Sequence, residues 1–556
     1  MSSINQNVNM TDESIYIKNV TDFLREQQPV SGSSDASKWA FLCIREIYNE
    51  WNTNTSSQDG ILRELVMDID GRRFRDSEQR NIEDIWGISL SLCKSYCSRD
   101  QINIATNFNR IAAGSTSYLL PWLALTAQLS YETGGYGTGV MSLCLGLGSP
   151  MLMTISLMIT MLNKRWIRKE FRKFRKGRLG TIIKHAEVIA EAAQQEPARI
   201  SKTETSLVER ILQPDSENQW GKVAKDLKNT RWKVTLSLVA QLSVAIISWI
   251  LTAVGSLITK VGDTEEALVL SSGALWIWLV PVILGWILVG TQNSNNTMSE
   301  ALESTSSLGQ PVTKDKDEVW LKRMAGFQKQ QGPAFNYART LTWITFVDQL
   351  RGAFRRSNED GSRQPSASRN NPTNNNNVPD MPHCEYSNLG DLSAEARDIF
   401  GENIVFSILM GILIQWSTTI LAFILAYETV VKGLGCRSGS YLIYGMLSTA
   451  ACFLLLLSAT LSHFAMRNDE SRQSALRVRC AVTTRLRGCF FLIANTAWLL
   501  LISIWELIGF FDSCYCASTE LSKKEAGWVL LFKGADALKE DAQAAWGVGI
   551  GLGFFF

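Results

Sequence analysis

Residues 140–162 read VMSLCLGLGSPMLMTISLMITML, without one Lys, Arg, Asp or Glu. About 20 mostly apolar residues in helical form cover the hydrocarbon core of a bilayer, at roughly 1.5 Å of rise each. Lipid offers no partner for backbone N–H and C=O groups, so a crossing segment must be a helix or part of a closed barrel. An uninterrupted run of this length predicts a helix. Six further windows meet or approach the same requirement: 112–130, 234–258, 267–290, 404–426, 441–464 and 489–511. The first is the most polar, carrying Ser115, Thr116, Ser117, Pro121 and Gln128. The expected fold is an all-α integral membrane protein with about seven transmembrane helices, helical cytosolic regions and a disordered loop.

The predicted organisation is a helical region over 1–110 and transmembrane hairpins over 112–162, 234–290 and 404–464. A seventh transmembrane helix covers 489–511, and a tail follows over 512–556. A basic helical loop fills 163–233 and a second large loop fills 291–402, with an Asn-rich stretch over 355–380 too poor in apolar residues to build a core. The tail segments GWVLLF and AWGVGIGLGFFF are apolar but too short to cross, which predicts an interfacial position.

Charge orients the helices. Directly after the run of 140–162 comes KRWIRKEFRKFRKGR, nine bases against the single acid Glu170. Arg231 and Lys233 precede the third window, and six Arg lie between the sixth and seventh, whereas the alternate loops hold only Lys260, Lys432 and Arg437. Positive charge collects on the cytosolic side of short loops. Seven crossings then put the N-terminus in the cytosol and the tail in the lumen or outside. Three N-glycosylation sequons, at Asn9, Asn19 and Asn54, pull the other way, because they matter only on the lumenal side. If the window 112–130 does not cross, six spans remain and the N-terminal region is exposed.

Within the basic run, Ile167, Phe171 and Phe174 are spaced to lie along one helix face at the membrane interface. Lys164, Arg165, Arg168, Lys169, Arg172 and Lys173 are candidate contacts for anionic lipid. With a net charge of only +2, the chain carries no general basicity, and nucleic acid is not an expected partner.

No catalytic constellation emerges, and no cofactor is expected. Three His cannot supply a metal cluster, and MDIDG fails as a calcium loop, since Val66 and Ser77 fall where the key oxygen ligands are needed. Cys93 and Cys97, one helical turn apart, are expected as free thiols in a reducing compartment, and Cys436 is expected to bond Cys514 or Cys516 on the outer face. Gln241, Gln415, Asn495 and Glu506 are the candidate intramembrane polar groups, and Glu506 is the only acid within the spans.

The segments WLVPVILGW, GLGCRSGSYLIYG and FFDSCYC resemble parts of uncharacterised multi-pass membrane proteins of filamentous fungi. That resemblance implies a multi-pass membrane fold and carries no activity or site residue. The expected function is a membrane scaffold or sensor; the alternative is a solute transporter or channel.

Overall fold

The computed structural model describes residues 10–28, 39–68, 71–74, 81–97, 120–127, 136–175, 180–195, 217–229, 231, 239–244, 246–247, 250, 271–290, 332–362, 394–428, 433–467, 472–517, 523, 526–532 and 547. The fold is mostly helical. Its N-terminal part holds α1 (Met10–Glu26), α2 (Trp39–Thr53) and α3 (Thr55–Arg63), followed by β1 (Leu65–Val66), β2 (Gly87–Ser89) and α4 (Leu90–Tyr96). The periodicity of ILRELVMDIDGRRF predicts one helix, yet α3 stops at Arg63. The chain then extends into β1 and turns back through Gly71, whose φ of 84° suits a residue without Cβ.

Strand β3 (Trp528–Leu530) comes from the tail and completes a three-stranded antiparallel sheet in the order β1-β2-β3. Ile88 faces Leu65 on one side and Val529 on the other. Gly87 makes this possible, because a Cβ there would sit 1.9 Å from the Val529 carbonyl. GWVLLF is therefore a strand and not an interfacial segment: pairing with β2 satisfies its backbone, and Trp528 and Val529 are buried. Two expectations are corrected at once, since the fold is not purely helical and part of the tail belongs to the N-terminal domain.

This cap is closed covalently. Cys43 bonds Cys97, Cys93 bonds Cys514, and Cys436 bonds Cys516. The apolar core beneath them unites Val20, Leu24, Ile47, Trp51, Ile61, Phe74 and Ile88 with Val529 of the tail. Between β1 and the end of β2, Glu64 accepts from Ser91 at 3.0 Å and pairs with Arg73 at 2.9 Å. Burial pushes the Glu64 carboxyl up, but hydrogen bonds from Ser89 and Ser91 and the charge of Arg73 outweigh it, leaving its pKa below the ordinary value.

The membrane-side bundle and the module beyond it begin with α5 (Leu120–Thr126), α6 (Tyr136–Gly148), α7 (Pro150–Phe174), α8 (Gly180–Ala192) and α9 (Glu217–Asn229). They continue with α10 (Leu279–Val289), α11 (Asn336–Ser362), α12 (Ala394–Glu428), α13 (Cys436–Arg467) and α14 (Arg472–Ile508). Among the described residues, four helical segments are long and apolar enough to cross a membrane: Ser271–Val289, Phe400–Glu428, Cys436–Ala465 and Ala475–Ile508. The α6–α7 pair, bent by 101°, makes a fifth if it is one broken span. Five of the seven expected windows are thus matched among the described residues, one of them by the bent pair. Of the window 112–130, only 120–127 fall within the described residues, with α5 over Leu120–Thr126. Of the window 234–258, only 239–244, 246–247 and 250 fall within the described residues.

The break at Ser149-Pro150 has a local cause. Pro150 has no N–H to continue α6 and takes the first position of α7, capped by Ser149, whose Oγ accepts from the Leu152 N–H. The carbonyls freed at the end of α6 find new donors: Tyr444 Oη donates to Leu147 O at 2.9 Å and Asn495 Nδ2 to Gly148 O at 2.7 Å. Thr496 Oγ1 adds a bond to Cys144 O at 3.2 Å. Beyond the break, α7 is the hub of the bundle, packed against α10, α11, α12 and α13. Gly411 of α12 lets the two backbones approach, since a Cβ there would lie 2.7 Å from Ile155 and 3.0 Å from the Met151 carbonyl.

The polypeptide runs back and forth between two ends of this bundle. Helix α13 starts at Cys436, tied to the cap, and α14 leads into Cys514 and Cys516 of the cap. At the opposite end Phe400 of α12 enters a second apolar core with Ile167 and Phe171 of α7, Ile183 and Ile189 of α8, Trp220 of α9, and Trp343 and Phe354 of α11. The N-terminal region and the tail are joined by Cys93–Cys514 and by the pairing of β2 with β3.

Helix α11 also runs through Arg355–Ser362, the beginning of the stretch expected to be disordered, while 363–380 lies outside the described residues.

Candidate functional site: a buried charge cluster at the end of the bundle opposite the cap

Helix α7 leaves the bundle without interruption and carries the basic run into the second core. Its buried face changes character on the way. Ser156, Thr160 and Asn163, spaced to share one face, meet the start of α11 and the end of α8. Ser156 Oγ donates to Ala334 O at 2.9 Å, Asn336 Nδ2 donates to Thr160 Oγ1 at 2.7 Å, and Asn163 Nδ2 donates to Gln194 Oε1 at 3.3 Å. Arg339, only 2% exposed, donates from Nε to Gln194 O at 3.2 Å and from Nη2 to Asn336 Oδ1 at 2.8 Å. One turn on, Ile167 and Phe171 are fully buried, and Trp166 packs edge-on against Trp343 with centroids 6.4 Å apart. The expectation that Ile167 and Phe171 lie at the lipid interface is corrected: α8 and α11 cover them before lipid can, and Trp343 Nε1 fixes α11 by donating to Ala190 O at 2.9 Å.

Glu191 is the centre of the cluster. It is buried, and it accepts from Arg168 Nε and from Arg231, each at 2.8 Å, with Lys164 Nζ at 3.9 Å. Lys164 also donates to Val289 O at the end of α10, where Gly290 caps the helix in the left-handed region. Glu187, one turn before Glu191, pairs with Arg175, and Glu170 holds Lys173 at 2.8 Å and Arg351 at 3.4 Å. A partly open cleft beside the cluster is lined by Thr160, Lys164, Glu191, Gln194, Arg231 and Gly290. Chemically the arrangement is a lock: α7, α8, the segment at Arg231, and α10 each place a charge or a carbonyl on it. Burying these charges is tolerable because each has a partner.

The six basic candidates thus divide. Lys164, Arg168 and Lys173 are drawn into pairs with acids. Arg165, Lys169 and Arg172 stand exposed along one flank of α7, and no ion pair to them occurs among the described residues.

The candidate intramembrane polar groups do not gather. Gln415 is fully buried between α12 and α13, donating to Thr419 at 3.0 Å and accepting from Ser448 at 2.8 Å. Asn495 serves the α6–α7 break, Glu506 meets Arg437 at 3.4 Å where α14 nears the cap, and Gln241 is half-buried in the sparsely described third window. Among the cysteines, Cys436 joins Cys516, while Cys514 is taken by Cys93. The expected thiols at Cys93 and Cys97 are corrected to half-cystines. Although Cys43, Cys93 and Cys97 bring their sulfurs within 4.8 Å, every one is spent in a disulfide and none is a free thiolate for a metal.

Sequence reasoning missed Glu187, Glu191 and Arg339. The signal for the first two was present: AEVIAEAA sets two acids one turn apart in an otherwise apolar helix, directly after a run of nine bases. Comparison with protein-family models, curated proteins and solved structures finds no match for this chain.

Proposed function

We propose that the chain is a six-span membrane scaffold or sensor, with a disulfide-closed cap in the lumen or outside and a charge-locked helical module in the cytosol. The observation that carries this reading is the closure of the cap across 421 residues by Cys93–Cys514, with β2 paired to β3. Even parity is met by the α6–α7 pair, the window 234–258, Ser271–Val289, α12, α13 and α14. Two independent rules then agree on orientation. Disulfides form in oxidising compartments, and the opposite end of the bundle carries the basic residues that favour the cytosol. Helices α7 and α12 each run from the bundle core into the second core, a geometry suited to relaying position along the bundle. Tags at both ends of the chain should be protected from protease in sealed microsomes. Recovery of the two tags on opposite sides ends this reading.

The transporter or channel alternative draws on the broken α6–α7 pair, since transporters place ion and substrate sites at discontinuous helices. Against it, the freed carbonyls are occupied by Tyr444, Asn495 and Thr496, and the polar candidates serve separate helix contacts.

The flank of Arg165, Lys169 and Arg172 is the part of the module suited to anionic lipid. It begins about 5 Å beyond the end of the uncharged run and extends to about 15 Å, at roughly 1.5 Å per residue, so its first members lie within a Debye length of the headgroups. Replacing all three with Glu should weaken enrichment of anionic lipid around the purified protein, with the ion pairs of Glu191 left intact. Equal lipid enrichment in the variant would remove this contact.

A further inference from the structure

We infer that the cap is N-glycosylated, with Asn54 as the principal acceptor and Asn19 as a second. The inference deepens the orientation proposed above and rests on it. Asn54, Thr55 and Ser56 are all exposed, at the start of α3 and on the side of the chain away from the buried Trp51 and Ile61. Ser56 Oγ already donates to Asn54 Oδ1 at 2.6 Å, so the hydroxyl and amide that define the sequon are in contact. The Asn54 amide nitrogen makes only a 3.2 Å bond to the side chain of Glu50, on the exposed end of α2. Asn19 is exposed on α1, while its sequon partner Thr21 turns inward to accept from Trp51 Nε1 at 2.8 Å. A glycan on either Asn therefore projects from the cap without displacing its core.

In the reaction the amide nitrogen attacks the anomeric carbon of a lipid-linked oligosaccharide diphosphate. A C–N bond forms, the C–O bond to the diphosphate breaks, and the amide proton leaves with the lipid diphosphate; no oxidation state changes. A fourth sequon, Asn295-Asn296-Thr297, lies in the second large loop, on the cytosolic side of the same topology, and serves as an internal control.

The test is expression of the full chain in a eukaryotic host, glycosidase digestion of microsomes, and comparison of Asn54→Gln, Asn19→Gln, Ser56→Ala and Ser56→Thr. A mobility shift on digestion is expected. It should lose one glycan step in Asn54→Gln and in Ser56→Ala, and be retained in Ser56→Thr, which separates loss of the acceptor from loss of the fold. Asn295→Gln should change nothing. Protease protection of terminal tags reads the orientation separately. Protected tags with no glycosidase shift overturn the glycan and leave the orientation standing; digested tags, or a shift that depends on Asn295, overturn both.

Discussion

Replacing Glu191 with Ala is expected to destabilise the inner module by about 3 kcal/mol, at the lower end of the range for removing one partner of a buried ion pair. The lower end applies because the side chain of Arg168 is 48% exposed and regains water, whereas Arg231 and Lys164 are largely shielded. Thermal melting of the purified protein in detergent, followed by Trp fluorescence, reads the loss, since Trp166 and Trp343 report on the core beside the cluster. Pairing Glu191→Gln with Arg231→Gln should recover part of the stability lost by Glu191→Gln alone, as coupled groups do in a double-mutant cycle. Strict additivity of the two changes would mean that the pair is not coupled and that the cluster is not a lock.

Cys93→Ser is expected to free the tail from the cap and to cost about 2 kcal/mol, the low end of what removing a native disulfide does. A closed loop of 421 residues would rank higher in a purely entropic account, but the helices inside that loop are already confined by the bilayer, so cutting the link releases less chain freedom. The expected readout is selective. Under nonreducing conditions, protease should cleave near 518–526 in the variant while the bundle fragments stay intact, and Cys436–Cys516 should still tether the end of α14. A tail as resistant in Cys93→Ser as in the natural chain would show that β2–β3 pairing alone closes the cap.

Much of the bundle was legible in the sequence, because crossing a bilayer is a local demand. A window such as 441–464 satisfies it with its own side chains and its own backbone hydrogen bonds, and the structure places α13 there as a continuous helix. The break at Pro150 inside the run 140–162 is local too, since the missing N–H acts within one turn. The polar candidates were visible as types, but not their partners. Gln415 and Asn495 meet groups 33 and 347 residues away, and no spacing along the chain encodes such distances.

The errors have a common origin. Apolar spacing in KRWIRKEFRKFRKGR marks a face that must be covered, yet it does not say by what; lipid and the α8–α11 pair satisfy it equally well on paper. GWVLLF met the same ambiguity and was resolved by β2. Charge bias speaks only to the flanks of neighbouring helices, a local property, while the count of crossings depends on the weakest window. The joining of the N-terminal region to the tail is decided elsewhere in the fold, where Cys93 meets Cys514 and Gly87 admits a strand from the tail. Hydropathy is additive along a sequence and can be summed in a window; closure of a cap is a relation between distant segments, and it exists only once the chain has folded.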